Sequence, residues 1–351
     1  MLSFRERLMT VLRGGKADRV PLTMYQFVHG RPFDTPAGKR LQAQGLIPID
    51  CRRVFRERYR DITIQRVDSI EQGNKQTRTR VETPRGVLTE LVTTDPTYGS
   101  RWVQEHLVKS VDDYQAMKFV FDHTEVEPAY DDFRAADLAM GDRGIVLAEI
   151  LPMPVMWLFV EIMGAAAWSE GLLLHKDEFD ELLESLARCY RRQVQIAAES
   201  PAEVVWLGDN ITGTVVSPQK FQQYCKPVYD FDCHVLRQAG KISFAHFDGV
   251  NRPLRECIAG VALDVIEAFT PPPMEAMTVA EARQAWPDKV LSLNVPSNLF
   301  HLPAAEIERH VRQYVAEGGD EGRFIVGCTE DFDARLFDHA FSAIVRAMYD
   351  V

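Results

Sequence analysis

The chain has 351 residues, 46% of them hydrophobic and 26% charged, with a formal net charge of -11. That composition supports a sizeable core and excludes disorder. The acid excess argues against a nucleic-acid backbone or an anionic membrane surface as partner, since both call for clustered Lys and Arg.

The opening stretch, "MLSFRERLMTVLRGGKADRV", reads as an amphipathic, charged helix rather than a secretory signal. No later run is read as membrane-spanning, so the expected location is the cytoplasm. "RVPLTMYQF" reads as a first strand. Between about 60 and 106, "DITIQRV", "TRTRVET" and "GVLTELVTT", punctuated by "EQGN" and "TPRG", predict an antiparallel β meander inserted after the first barrel unit. "TEVEPAYDDFRAAD", rich in acids and turn formers, leads on from it.

From about Gly144 short apolar runs alternate with helical periodicity, the pattern of βα units around a parallel sheet. "GIVLAEIL" is a strand, with helices across "WLFVEIMG" and "DEFDELLESLARCYRRQVQIAAES". "EVVWLGD" precedes a helix for which Ser217 supplies the N-cap, Pro218 the first turn and Gly240 the stop. Strands "KISFAHF", "DVIEAF", "KVLSLNV" and "RFIVGC" follow, each with its own helix. Together these supply most of the strands of a (β/α)8 TIM barrel, read as one domain over 1–351. A doubly wound open sheet is the alternative, without a glycine-rich phosphate loop after any strand. Six cysteines, at 51, 189, 225, 233, 257 and 328, show no CxxC pairing and read as reduced thiols.

In such barrels chemistry gathers where strands end, because eight loops converge on one mouth. The polar residues at those positions are Glu149, Asp209, His246 with Asp248, Glu267, Asn294 and Cys328. Asp209 and Asp248 also read as caps of the following helices, and Asn294 as a satisfier of loop backbone groups. Glu149 and Glu267 interrupt apolar runs with no cation nearby in the sequence, and a buried Glu needs a partner. Cys328 reads equally as a core thiol. A histidine ending an inward strand beside Asp248 is placed to bind metal or move a proton. His246, Cys328 and one carboxylate have the donor types of a catalytic zinc site.

"WLGDNITG", "SPQKFQQYCKPVYDFDCHVLRQAGK", "FAHFDG", "IEAFTPPP" and "FIVGCTEDF", with the opening "SFRERLMTVLRGGKADRVPL", resemble the uroporphyrinogen decarboxylase superfamily, which includes cobalamin-dependent methyltransferases. The resemblance spans nearly the whole chain and implies a (β/α)8 barrel with an open cavity at the strand C-termini. Decarboxylases of that superfamily carry an arginine-rich loop after the first strand; here "MYQFVHGRPFDTP" offers only Arg31, which disfavours a porphyrinogen. The methyltransferase branch implies zinc on a His-x-Cys pair and a last-strand Cys. His246 and Cys328 match, while Asp248 replaces the middle Cys and suits a metal that activates oxygen.

The expectation is therefore a methyltransferase or demethylase passing a methyl group between a small substrate and a separate corrinoid (cobalamin) protein. His246, Cys328 and Asp248 are the expected zinc ligands, with Glu149 as an alternative third ligand. Asp209, Glu267 and Glu149 are the expected catalytic groups; Asn294, Arg31 and Tyr25 are the expected substrate contacts. A homodimer is a further expectation by resemblance. The alternatives are a metal-independent decarboxylase using Asp209, His246 and Glu267, and a non-catalytic barrel that binds a tetrapyrrole or corrinoid.

Overall fold

The computed structural model describes residues 2–28, 32–97, 99–319 and 321–349. Eight parallel strands close a barrel: β1 (Leu22–Tyr25), β2 (Leu46–Arg53), β3 (Ile145–Ile150), β4 (Val204–Leu207), β5 (Ile242–His246), β6 (Val265–Phe269), β7 (Val290–Asn294) and β8 (Phe324–Cys328). Closure is direct, with Leu22 of β1 paired to Leu46 of β2 on one side and to Val326 of β8 on the other. Seven of these strands coincide with runs read from the sequence. The eighth, β2, is "LIPIDCRR". Pro48 within it and Arg52 and Arg53 at its end disguise a strand whose first six residues are buried.

Local chemistry explains the helical layer. Ser217 caps the helix beginning at Pro218 by accepting from the Lys220 N–H, and Gly240 follows the end of Lys226–Gln238 with φ +70°. Lys176–Glu199 covers β3 and buries Phe179, Leu182, Leu186, Tyr190 and Val194 on one stripe. Pro154–Leu174 has a mean hydropathy of 1.3 and is long and apolar enough to cross a membrane, so the reading that no run reaches that length is amended. It is not one straight rod, because Gly164 sits at φ +67° between a π-helical segment, Leu158–Met163, and the helix Gly164–Leu174. Met156, Leu158, Ile162 and Trp168 from this stretch are buried in the core.

The meander forms as expected, as Thr63–Glu71, Asn74–Thr83, Gly86–Thr94 and Arg101–Glu105 in antiparallel order. Its point of insertion differs from the expectation: it follows β2, not the first barrel unit. A short antiparallel pair, Phe55–Tyr59 with Thr124–Pro128, forms its stalk. Because it leaves the C-terminal end of a barrel strand, the insert emerges at the mouth.

One strand departs from regular geometry. In β6 the pairing to β7 slips between Ile266 and Phe269, so that Glu267 and Ala268 together oppose a single residue. Ala268 has φ +59°, a left-handed conformation that costs a non-glycine residue about 1–2 kcal/mol.

Candidate active site

The mouth of the barrel and the underside of the meander enclose a cavity of about 580 Å³, a normal size for a small-molecule site. Its barrel wall includes Tyr25, Trp206, Glu149 and His246, and its roof includes Ile64, Arg66, Val81, Leu88 and Arg101 from the meander. Tyr25 and Phe27 stack at 4.7 Å, Trp206 meets Tyr25 edge-on at 6.1 Å, and His246 meets Trp206 edge-on at 5.8 Å. An aromatic wall of edge-on rings thus leads to an imidazole.

That imidazole is held at both ends. His246 and Glu267 are neighbours in the β5–β6 register, and the bulge at Glu267 and Ala268 sets the carboxylate against the ring. Nδ1 of His246 lies 2.6 Å from Oε2 of Glu267, and Nε2 lies 3.5 Å from Oδ2 of Asp248. The Trp206 indole N–H donates to the same Glu267 oxygen at 3.3 Å. Glu267 is 1% exposed. Burial opposes a charged ring, but Glu267 and Asp248 outweigh it and raise the His246 pKa well above its ordinary value. His246 in turn holds the Asp248 carboxyl below the usual range, against the effect of burial. Carboxylates at both nitrogens favour the imidazolium form, and the ring is oriented through Nδ1.

The other expected residues fall around this centre. Tyr25 lines the cavity, and burial, reinforced by Glu267, pushes its phenol well up. Glu149 also lines the cavity, its carboxyl raised by burial and partly restored by Arg53 and Arg52. Asp209 is fully buried behind the mouth, where one oxygen accepts the Met153 N–H at 2.7 Å. Burial pushes its carboxyl up to about 6, against the pull of the Met153 N–H, Tyr229 and His246.

Asn294 is turned to a different task. It is wholly buried, donates to Thr270 Oγ1 and Glu330 Oε1, and accepts from the Thr329 N–H, so it braces the loops after β6 and β8. Arg31 lies outside the described residues. The cations that do line the cavity, Arg53, Arg66 and Arg101, come from β2 and the meander, where only Arg31 had been looked to. Trp206 was passed over because in "VVWL" it reads as plain strand; its place three residues before Asp209 was the available signal.

The expected zinc ligands do not assemble. Both nitrogens of His246 are engaged by carboxylates. Cys328 is 1% exposed, its Sγ faces the Glu330 carbonyl at 3.8 Å, and burial pushes its thiol up, away from the thiolate a metal needs. Among the described residues no three His, Cys, Asp or Glu side chains form a group that could hold a metal ion. The donor set His246, Cys328 and Asp248 does not fit zinc in this arrangement, and no step below depends on one.

The uroporphyrinogen decarboxylase family model matches residues 103–329, well over half of the chain. The chain belongs to the uroporphyrinogen decarboxylase family. The match takes in β3 to β8 and with them His246, Asp248 and Glu267. Among solved structures, a methyltransferase from Methanosarcina mazei superposes with a TM-score of 0.63 at 12% identity, covering 100% of this chain and 99% of that chain. At that identity the likeness shows a shared fold. No curated protein sequence matches the chain. Membership of this family agrees with an enzyme.

Proposed function

We propose that this family member is a methyltransferase that removes a methyl group from an oxygen of a small, flat substrate and passes it to an acceptor brought by a separate protein. The single observation that carries the reading is the Glu267–His246–Asp248 arrangement set into the wall of an aromatic-lined cavity. When the methyl group leaves, the electron pair of its C–O bond stays on oxygen, which must be protonated or otherwise stabilised. His246, held as an imidazolium by two carboxylates, supplies that proton, and solvent restores it after product leaves. Glu267 fixes the ring through Nδ1, and Nε2, which has Asp248 3.5 Å away, is the end that meets the substrate oxygen. Tyr25 and Trp206 pack the substrate plane, and Glu149 at the rim orients it.

The acceptor expected from the superfamily is a corrinoid, which when reduced supplies the nucleophile; here it is a second substrate on its carrier protein. A second reading has support of its own, in the guanidinium groups of Arg53, Arg66 and Arg101 around the cavity. They could grip a carboxylate while His246 protonates the carbon left by decarboxylation.

One experiment separates the two. The purified protein is offered aryl methyl ethers with cob(I)alamin, and in parallel the corresponding carboxylates, with methylcobalamin and carbon dioxide as the readouts. Methylcobalamin formation that falls by roughly 10²–10⁴-fold in His246→Gln is the expected result for a general acid. Carbon dioxide release without methylcobalamin transfers the site to the second reading. Neither product, from a protein that still binds the ether, would refute both and leave a binding barrel.

A further inference from the structure

At the opposite end of the barrel, away from the chemistry, lies a second cavity of about 500 Å³. Four segments deliver five cations to it, with Arg237 and Lys241 on either side of one helix-to-strand turn. Arg13 follows the first helix, Arg237 ends Lys226–Gln238, and Lys241, Lys289 and Arg323 immediately precede β5, β7 and β8. Only two acids, Asp264 and Asp288, line it with them. Five cations against two acids, in a chain with a net charge of -11, is a local reversal of the protein's field.

Among the described residues Lys241, Lys289 and Arg323 have no ion pair with an acid. Asp264 turns Oδ2 to the Ser243 N–H and hydroxyl, with only a 3.9 Å approach of Oδ1 to Arg237. Lys289, 8% exposed, has backbone carbonyls of Val261 and Leu263 as its acceptors, and Lys241 has the Ser200 carbonyl. Burial lowers both ammonium pKa values, with only partial compensation from the nearby acids. Arg13 is paired with Glu203. The Arg323 guanidinium, exposed at the rim, has no hydrogen bond or ion pair among the described residues, and its backbone is held at φ +57°, unusual for a side chain of that size. Favourable placement at a helix C-terminus accounts for Arg237. It does not account for Lys241, Lys289 or Arg323, which sit on strand starts.

We propose that this cavity is an anion site for an oligophosphate, a diphosphate unit either free or as the phosphate chain of a nucleotide. Its cations converge from separate elements on a volume larger than one phosphate needs, and planar guanidinium groups match phosphate oxygens pairwise. The site is independent of the reaction at the mouth. Ligand bound there joins the loop after the first helix to the starts of three barrel strands, so it stabilises the closed barrel by mass action.

The test uses the full chain. Titration calorimetry and thermal melts are run with sodium diphosphate, with ADP, and with sodium chloride at matched ionic strength. Arg323→Asn removes a charge while keeping a residue that tolerates the left-handed backbone. Lys241→Gln removes a second charge, and Arg255→Ala serves as an exposed control. Saturable diphosphate binding that raises the melting temperature, and weakens by roughly tenfold or more in Arg323→Asn and in Lys241→Gln but not in Arg255→Ala, is the expected result. Equal affinity for ADP assigns the site to the phosphate chain alone, and tighter binding assigns it to the nucleotide. A response no larger than that to sodium chloride, or parent-like binding by either charge-removing variant, would overturn the proposal.

Discussion

Asp209→Asn tests the electrostatics of the mouth most directly, because the substitution keeps shape and removes only the capacity to ionise. The native carboxyl sits behind β4 with one oxygen on the Met153 N–H, a bond the amide oxygen of Asn can still accept. Burial raises its pKa from 3.8 to about 6. A folded pKa above the unfolded value means that the proton's contribution to stability is complete below the unfolded pKa and is lost as pH rises through the folded one. At about 1.4 kcal/mol per unit, the native state is about 3 kcal/mol less stable above the folded pKa than it would be with a neutral group at this position. Roughly half of that loss is already present near about pH 5. The stability advantage of Asp209→Asn over the parent should therefore grow from about 1.5 kcal/mol near about pH 5 to about 3 kcal/mol near about pH 8. Equilibrium urea unfolding of both proteins across that range measures it. An advantage that is flat with pH, or that shrinks, would refute the claim that burial outweighs the pull of the Met153 N–H, Tyr229 and His246 on Asp209.

Four further outcomes are expected. Glu267→Gln should lower the His246 pKa, seen by nitrogen-15 NMR of the ring. Since a raised His pKa means that acid function is lost as pH rises through it, the alkaline limb of the methyl-transfer profile should move to lower pH. Cys328 should resist alkylation in the native protein and react on unfolding, and Cys328→Ala should carry the same zinc content as the parent by elemental analysis. Gly327→Ala places a Cβ 2.6 Å from Thr23 Oγ1, between β8 and β1, and should lower stability by about 1–3 kcal/mol in urea unfolding. Ala268→Gly should be close to neutral in the same assay, because relief of the left-handed strain of about 1–2 kcal/mol offsets the lost methyl and the added chain entropy.

Seven barrel strands and the meander were legible in the sequence because each is an apolar or alternating run bounded by turn residues. β2 was not, since Pro48 reads as a strand breaker and its two terminal arginines read as surface. The same blind spot hid Arg53, and so the main source of positive charge on the barrel wall. For the site, strand-end position brought out His246, Asp248 and Glu267, which the structure brings together, but also Cys328 and Asn294, which it turns toward neighbouring loops. Position along a strand says where a side chain enters the mouth, not which way it turns there. At Glu267 the turn is made by a one-residue slip against β7 and a left-handed Ala268, neither of which leaves a signature in "VIEAF". The zinc expectation failed to assemble for the same reason: it rested on residue types at strand ends, while both ring nitrogens of His246 face carboxylates.

The seam between β1 and β8 bears on how the protein is made. Met24 pairs with Cys328, so a residue near the start of the chain has its neighbour only when the last strand has left the ribosome. Tyr25, one residue further on, is a wall of the catalytic cavity. A nascent chain halted anywhere before Phe324 therefore lacks a closed barrel, and its first strand, apolar and unpaired on one edge, must be kept from other chains while synthesis continues.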